Sequence, residues 1–303
     1  MGNFNDLQKR VLQLKKEKNA LILAHYYVPL EVQDVADAVC DSFAMAKLAA
    51  QAEQDLIVIC GVRFMGESAK ILSPHKTVLL PAPDAGCPMA DMVTPEDVLR
   101  HRAEHPDATV MCYVNSSAAV KAVSDICCTS SSALRIAQKL DCDEIIFVPD
   151  KHLGSFVAQQ VPDKTFHLHN GFCPTHHRVT EADVLAAKAA HPDAVFAVHP
   201  ECETDVVKHA DFAGSTAEIL DFARTTDAPE ILIGTENEIV ERLIRELPDK
   251  KIYSVSSAFT CPTMKKVTLP ALLDCLEKEQ FQVELPEEEI NAARRSLDRM
   301  VNS

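Results

Sequence analysis

VTPEDVLRHRAEHPDA, residues 93–108, is written again 86 positions later as VTEADVLAAKAAHPDA, residues 179–194. Each copy runs on into a short apolar stretch, TVMCYV at 109–114 and VFAVHP at 195–200. A match of this length in one register indicates a supersecondary unit that the chain uses more than once.

A third copy precedes these two at an offset of 88, with LILAHYY (21–27) and LIVICG (56–61) as its apolar runs. Shared landmarks recur once in each copy: Asp37, Asp125 and Asp211, then Pro74-His75-Lys76, Pro162-Asp163-Lys164 and Pro248-Asp249-Lys250. We therefore predict three homologous units at residues 1–92, 93–178 and 179–303. After Val267 the third unit continues into a C-terminal helical cap.

Each unit alternates short Val/Ile/Leu-rich runs with longer helical stretches. In the second unit the pattern predicts strands near 109–114, 144–148 and 165–169, and helices near 95–104, 116–123 and 131–140. Such alternation predicts an α/β fold of three-layer αβα domains with parallel sheets. Because a residue repeated once per unit lies near the axis relating the units, we expect a pseudo-threefold arrangement around a central cavity.

Composition excludes several classes of function. The formal net charge is −15, which argues against a nucleic-acid surface. No apolar run approaches the ~20 residues that cross a bilayer, so we expect no membrane partner. The N-terminal segment has no signal-peptide pattern, and Leu7, Val11 and Leu14 predict an amphipathic helix instead. Eleven cysteines without a signal favour a reducing, cytoplasmic location.

Superimposing the units aligns polar residues at predicted strand ends and helix starts. The aligned sets are His25, Tyr113 and His199; Tyr27, Asn115 and Glu201; and Ser42, Ser130 and Thr216, with Thr129 and Ser215 beside the last set. In parallel α/β sheets, ligands bind at the carboxyl ends of the strands. The aligned residues therefore predict a substrate cavity with acid–base groups.

The hydroxyl set has a purely structural alternative. Ser42, Ser130 and Thr216 are good N-cap residues, and capping alone accounts for most residues of this kind. The functional alternative is an anion site, because helix N-termini present unpaired N–H groups and a positive dipole. A single histidine is likewise most often structural, but the equivalence of His25 and His199 under the repeat favours function.

Three Cys-Pro steps, at Cys87, Cys173 and Cys261, also recur once per unit, and no other cysteine precedes proline. Three thiolates meeting near one axis could bind zinc or an iron–sulfur cluster, and spacing does not separate the two. We expect the remaining cysteines to be packing residues: Cys40, Cys60, Cys112, Cys127, Cys128, Cys142, Cys202 and Cys275. His176 and His177 follow Cys173 closely and are either cavity residues or a surface pair.

Over nearly its whole length the chain resembles the quinolinate synthase (NadA) family. The resemblance rests on these motifs: AHYYVPLEVQDVADAVCDS (24–42), GCPMADM (86–92), YVNSS (113–117), CTSSSA (128–133), NGFCPTHH (170–177), VHPEC (198–202), GSTAE (214–218), GTE (234–236) and CPTMKK (261–266). The chain departs from the family at Tyr26, where other members often carry a different residue.

The resemblance implies a transferase-type synthase that condenses iminoaspartate with dihydroxyacetone phosphate, giving quinolinate, phosphate and water for NAD biosynthesis. It implies one 4Fe-4S cluster per chain on three cysteine ligands, which fall by motif on Cys87, Cys173 and Cys261. The iron without a cysteine ligand would act as a Lewis acid. It also implies coupling to an aspartate oxidase or dehydrogenase that produces iminoaspartate.

The catalytic and binding residues implied by the resemblance divide into two groups. The expected catalytic residues are Tyr27 and Glu201 as a proton-transfer pair, with His25 and His199 polarising substrate. The expected substrate-binding residues are His25, Ser42, Tyr113, Val114, Asn115, Ser130, His176, His199, Pro200, Glu201, Ser215 and Thr216.

Two other classes of protein compete with this reading. One is a non-enzymatic binding module for a phosphorylated metabolite, with a structural zinc; the other is a cluster-dependent hydro-lyase of the aconitase type. The acid–base set of Tyr27, His199 and Glu201 argues against the first. The triplicated unit and the short chain argue against the second.

Overall fold

The computed structural model describes residues 4–303, which form three four-stranded parallel sheets. The strands are β1 Ala20–His25, β2 Ala38–Cys40, β3 Leu56–Cys60, β4 Thr77–Leu79, β5 Thr109–Tyr113, β6 Ile126–Cys128, β7 Glu144–Val148, β8 Thr165–Leu168, β9 Val195–Val198, β10 Phe212–Ala213, β11 Glu230–Gly234 and β12 Lys251–Ser254. The sheets share one strand order: β2-β1-β3-β4, β6-β5-β7-β8 and β10-β9-β11-β12. The predicted α/β fold, written three times, is confirmed.

Helices alternate with the strands in the same sequence in every copy. They are α1 Asp6–Glu17, α2 Leu30–Gln33, α3 Ser42–Gln51, α4 Arg63–Leu72, α5 Pro95–Glu104, α6 Ala118–Ala122, α7 Ala133–Lys139, α8 Lys151–Gln160, α9 Pro174–His177, α10 Glu181–Ala190, α11 Thr204–Val207, α12 Thr216–Thr225, α13 Glu238–Glu246, α14 Leu269–Lys278 and α15 Glu287–Val301. Two 3-10 turns, Ala90–Met92 and Met264–Lys266, follow Cys87 and Cys261, where α9 follows Cys173. α14 is the first helix of a fourth copy, so the predicted C-terminal cap is helical.

Contacts divide the chain into two compact units. The first holds the residues up to Asp91 together with Val114–Cys127 and Pro262–Ser303. The second holds Met92–Tyr113 and Cys128–Cys261. The predicted boundaries at residues 92 and 178, and the arrangement of the repeats about an axis, remain predictions. Residues 1–3 of the first predicted repeat lie outside the described part of the chain.

The repeated aspartate fixes the start of the first strand in its unit. Asp37 Oδ2 accepts the backbone N–H of Ile22 at 2.8 Å, and Asp211 Oδ2 accepts that of Phe196 at 2.7 Å. In both places the aspartate's own N–H returns a hydrogen bond of 2.8 Å to the carbonyl of the same strand residue. The repeated aspartate therefore holds in place the strand that leads to a candidate site residue, which is His25 at the end of β1 and His199 directly after β9.

Strand interiors are buried on both faces, as expected for parallel sheets covered by helices. Val110, Met111 and Cys112 of β5 are fully inaccessible, and so is Phe196 of β9. At the N-terminus Val11 and Leu14 are buried as predicted, but Leu7 is 41% exposed because Gln8 occupies the inner face of α1. Within residues 4–303, none of the helices is both long enough and apolar enough to span a membrane.

Candidate functional site

The predicted site residues are distributed over both compact units, and each unit is taken by itself. The first unit contains His25, Tyr27, Ser42, Cys87, Val114 and Asn115. The second contains Tyr113, Ser130, Cys173, His176, His199, Pro200, Glu201, Ser215, Thr216 and Cys261. Most of them lie at or just after a strand end, where the sequence placed them.

Glu201 is the centre of the polar group in the second unit. Its Oε1 accepts a hydrogen bond of 2.6 Å from the Tyr113 hydroxyl, and its Oε2 lies 2.8 Å from His176 Nδ1. All three side chains are buried. Tyr113 is the last residue of β5, and Glu201 follows β9, so equivalent strand ends of two repeats bring them together.

His176 links this carboxylate to a Cys-Pro step. Pro174 opens α9 directly after Cys173, and the short helix turns His176 back so that Nδ1 lies 3.2 Å from Cys173 Sγ. Nε2 lies 3.0 Å from Thr235 Oγ1. A carboxylate beside Nδ1 requires a proton on that nitrogen, so the N–H is shared between Glu201 and the sulfur. His177, by contrast, is partly exposed and pairs with Glu203, so the two adjacent histidines differ in role.

Electrostatics hold Glu201 in its charged form. Burial by itself raises the pKa of this carboxyl group. The charges of the His199 and His176 imidazoles when protonated, with the hydrogen bonds from His176 and Tyr113, outweigh burial and keep the pKa below its usual range. Glu201 is thus a buried carboxylate that remains ionised and accepts hydrogen bonds from two donors.

Asp150 is the opposite case. Burial, followed by the charge of Glu201, raises its pKa well above the ordinary value, although backbone N–H groups of Leu153, His152 and Cys173 act against this. Oδ1 caps α8 by accepting from the N–H groups of His152 and Leu153 at 2.8 and 3.0 Å. Two neighbouring carboxyl groups with pKa values pushed apart provide one acid and one base in the same region.

His25 and His199 have the same local geometry in different units. The backbone N–H of Tyr27 donates to His25 Nδ1 at 3.2 Å, and that of Glu201 donates to His199 Nδ1 at 3.2 Å. An accepting Nδ1 leaves the proton on Nε2 when the ring is neutral. Burial, reinforced by His176 and opposed by Glu201, lowers the pKa of His199 to about 4. His199 is therefore a neutral N–H donor near pH 7.

In the first unit, Tyr27 packs edge-on against His25 with ring centroids 4.6 Å apart. Lys265 Nζ donates to the Tyr27 carbonyl at 2.9 Å, which places an ammonium group beside this pair. Sequence reasoning did not single out Lys265. Its place four residues after Cys261, equivalent to that of His177 after Cys173, was the available signal.

Cys87 lines a cleft that lies within the first unit. Arg63, Glu67 and Asp84 contribute charged side chains to its wall, and Ser117, two residues after Asn115, completes it. The predicted cysteine ligand and the loop carrying a predicted substrate-binding residue therefore meet at one cleft of this unit.

The structural alternative, N-capping by the aligned hydroxyl residues, does not hold, because the N-cap positions lie one or two residues away. The capping residues of α3, α7 and α12 are Asp41, Ser132 and Ser215, in place of Ser42, Ser130 and Thr216. Asp41 accepts from the N–H of Ala44, while Ser215 and Glu218 form a reciprocal capping box. Ser42 and Thr216 are first-turn residues, so helix capping does not account for their hydroxyls.

The cysteines separate into two classes. No disulfide joins cysteines within residues 4–303. The Cys-Pro residues Cys87, Cys173 and Cys261 are partly exposed, whereas the expected packing cysteines are buried, with one correction: Cys142 is also partly exposed. Burial raises the pKa of Cys40 and Cys275 to about 12 and keeps these thiols protonated.

A buried glutamate supports one of the Cys-Pro steps. Glu236 Oε1 accepts the backbone N–H of Cys261 at 3.2 Å, and Oε2 accepts that of Glu238 at 2.8 Å. The Glu236 side chain is fully inaccessible. It stands in the GTE motif, and Asp150 is its repeat equivalent. The structure thus assigns Glu236 to the Cys261 loop, a role that sequence reasoning did not foresee.

The donor atoms fit a metal centre. Cys173 Sγ lies with one donor atom each of His176 and Glu201 in a group within 4.8 Å of one another. Sulfur, imidazole and carboxylate donors suit zinc as well as iron. The thiols of Cys87, Cys173 and Cys261 are equivalent under the repeat and partly exposed, which fits a cluster held by cysteines.

Comparison with known proteins agrees with these features. The profile of the family described as quinolinate synthetase A protein matches residues 9–302. A quinolinate synthase of Caldicellulosiruptor bescii is 50% identical over 299 residues, covering 99% of each chain. That of Geobacter metallireducens is 51% identical over 296 residues, covering 97% of each chain. Quinolinate synthase 2 of Methanosarcina acetivorans is 49% identical over 296 residues, or 98% of this chain and 95% of its own.

Proposed function

The chain belongs to the quinolinate synthase family, and we propose that it condenses iminoaspartate with dihydroxyacetone phosphate to quinolinate, phosphate and water. The observation that carries the proposal is the buried set of Tyr113, Glu201 and His176 beside Cys173. A module that only binds a metabolite needs no charged carboxylate held between two proton donors.

Glu201 is the proposed general base. Its charge is maintained by its hydrogen-bond donors, and condensation, isomerisation and ring closure each remove a proton from carbon or nitrogen. Tyr113 and His176 would return protons through the two oxygens of the same carboxylate. Tyr27 remains the proposed acid from the first unit.

His199 and His25 would polarise the keto and imino groups of the substrates. Each ring accepts a backbone N–H at Nδ1, which directs the proton to Nε2. A neutral imidazole donates a hydrogen bond without delivering a full charge, so it can stabilise a developing oxyanion and remain unchanged afterwards.

The substrates are anionic, and the proposed binding residues carry donors for them. The α3 and α12 N-termini at Ser42 and Thr216 would favour phosphate or carboxylate through their dipoles, with Ser130 and Ser215 assisting. Lys265 adds a positive charge beside Tyr27. Val114, Asn115 and Pro200 would line the remaining part of the substrate site.

Cys87, Cys173 and Cys261 would hold a 4Fe-4S cluster, since they are the partly exposed thiols equivalent under the repeat. When bound, the cluster would supply a Lewis acid for the dehydration steps. Glu236 would hold the backbone of the Cys261 loop in position. An aspartate oxidase or dehydrogenase would supply the unstable imine.

Anaerobic purification followed by iron, sulfide and zinc assays tests the cofactor, and product analysis with both substrates tests the reaction. We expect four iron and four sulfide per chain, a brown protein, and quinolinate as product. A colourless protein with stoichiometric zinc and no product would instead support the binding module and overturn the proposal.

A further inference from the structure

A second group of metal-binding side chains lies in the second unit, on His105, Glu144 and His167. His105 follows the last residue of α5, Glu144 begins β7, and His167 is in β8. The two imidazole rings stack with centroids 3.4 Å apart and an interplanar angle of 16°. Glu144 Oε2 lies 2.6 Å from His167 Nε2 and 3.9 Å from His105 Nδ1.

We propose that these three side chains bind a divalent transition-metal ion of the zinc class. One ligand atom from each residue lies within 4.8 Å of the others. Around a tetrahedral ion with bonds near 2.0–2.1 Å, ligand atoms are about 3.4 Å apart. Imidazole binds through a lone pair in the ring plane, so the two stacked rings must rotate out of their parallel arrangement to share one ion. Two imidazole nitrogens and one carboxylate oxygen form a donor set that zinc enzymes use.

Exposure permits entry of the ion. The side chains of His105, Glu144 and His167 are 31%, 42% and 21% exposed. Solvent can therefore reach the site and fill the remaining coordination position. The site takes no part in the proposed synthase reaction.

The third repeat contains the same stack without the metal ligands. His191, equivalent to His105, stacks on Tyr253 with centroids 3.6 Å apart and an interplanar angle of 19°. The equivalent glutamate, Glu230, forms an ion pair of 2.7 Å with Lys251. Stacking at this place is thus a packing feature of the repeat, and it does not by itself require a metal.

Two differences convert this packing feature into a ligand set in the second repeat. Tyr253 is replaced by His167, which supplies a second imidazole nitrogen. Lys251 is replaced by Thr165, so the cation that neutralises the third-repeat glutamate is missing beside Glu144. The two changes leave Glu144 in contact with imidazole nitrogen in place of a lysine, which is the donor combination of a zinc-class site.

A bound ion would join two parts of the fold. β8 is the edge strand of its sheet, and its far end continues towards Cys173. Coordination by His105 and His167 would attach the carboxyl end of α5 to this strand. We therefore expect the ion to stabilise the fold of the second repeat.

Zinc binding by the purified protein and by the His167→Tyr variant tests the proposal. The variant carries the residue of the third repeat and so retains an aromatic stack. In calorimetric titration with Zn²⁺, the variant should bind one zinc ion per chain fewer than the parent protein. Zinc bound at other sites is the same in both proteins and does not contribute to this difference. Zn²⁺ should also raise the melting temperature of the parent protein more than that of the variant.

Two further variants keep the test decisive if His167→Tyr folds poorly. Glu144→Gln preserves the shape of the cluster but removes the anionic ligand. The affinity for the zinc ion bound at this site should fall at least tenfold in this variant. The double variant Tyr253→His/Lys251→Thr reproduces the second-repeat residues in the third repeat and should gain one equivalent. Equal zinc stoichiometry and affinity in the parent protein and Glu144→Gln would overturn the proposal.

Discussion

The Tyr113 hydroxyl donates a hydrogen bond of 2.6 Å to Glu201 Oε1. Tyr113 belongs to the aligned set of His25 and His199, whereas Glu201 belongs to the set of Tyr27 and Asn115. The hydrogen bond therefore joins residues at two non-equivalent positions of the repeat, Tyr113 from the second copy and Glu201 from the third. The structure brings a proton donor and a carboxylate together where the sequence showed two separate strand ends.

Tyr113→Phe should reduce the rate of quinolinate formation about 10- to 100-fold. The variant removes one of two donors to a buried carboxylate, and a hydrogen bond to a charged group contributes about 1.5–3 kcal/mol. Steady-state measurement of product formation checks the change. Tyr253→Phe removes a hydroxyl near the partly buried Glu230 of the same unit and should leave the rate unchanged.

Glu201→Gln should lower the rate further, by about 10²- to 10⁴-fold, because it removes the proposed base. The double variant Tyr113→Phe/Glu201→Gln should have a rate only slightly lower than that of Glu201→Gln alone, since both changes act on one hydrogen bond. Strictly additive effects, or a Glu201→Gln protein with the parental rate, would remove this pair from the mechanism.

Local signals account for the elements that were predicted well. The predicted helix at 95–104 coincides with α5 because Pro95 stands at its first position and Thr94 and Asp97 form a capping box. β6 was missed because its three residues, Ile126–Cys128, are too few to show a period. The Asp41-Ser42 and Ser215-Thr216 pairs each offer two good caps, so the sequence did not decide between neighbours.

The site was predictable by residue type but not by partner. Equivalence under the repeat located His25 and His199, and the structure gives them one hydrogen-bond geometry. The contacts of Glu201 with His176 and Tyr113 join residues far apart in sequence, and no local pattern encodes them. Glu236 was missed for the same reason, since its cysteine partner is 25 residues away.

Cys87→Ala, Cys173→Ala and Cys261→Ala should each abolish cluster absorption and activity together, because each removes a proposed ligand. Cys142→Ala is the matched control, since Cys142 is also partly exposed but does not precede proline. Iron per chain and the visible spectrum are measured on anaerobically purified protein. Full iron content in any of the first three variants would exclude that cysteine as a ligand.

Glu236→Ala should lower the iron content of the purified protein, because the partly buried N–H groups of Cys261 and Glu238 lose their acceptor. Glu236→Gln retains one acceptor oxygen and should restore part of the iron. Glu241→Ala, at an exposed position of the following helix α13, should retain all of it. If the alanine variant at Glu236 binds iron normally, the carboxylate does not position the cysteine loop.

His199 should make the protein less stable as the pH falls. Its pKa is lowered from the ordinary 6.5 to about 4 by burial, so the unfolded state binds more protons between these values and stability rises with pH across that window. Between pH 7.5 and pH 5.0, the free energy of unfolding of the His199→Asn variant should fall by about 2 kcal/mol less than that of the parent protein. Urea unfolding at both pH values measures this change in stability. The control variant His75→Asn replaces an exposed histidine and should show the same pH dependence of stability as the parent protein.

The repeated lysine of the Pro-x-Lys landmark caps a helix in every copy. Lys250 Nζ donates to the carbonyls of Ala223 and Thr226 at the end of α12, with Ala223 O at 2.9 Å. The equivalent ammonium groups bond to carbonyls that follow α3 and α7: Lys76 to Ala52, and Lys164 to Leu140 and Cys142. The carboxyl end of a helix has unpaired carbonyls and a negative dipole, and a cation satisfies both.

Lys250→Met should therefore destabilise the protein by about 2 kcal/mol, since two carbonyls lose a charged donor while the aliphatic stem is kept. Lys251→Met is a close control: the neighbouring ammonium is exposed and bonds to Glu230, so its loss should cost well under 1 kcal/mol. Urea unfolding of both variants gives the comparison. Equal stability of the two would mean that the landmark is retained for a reason other than helix capping.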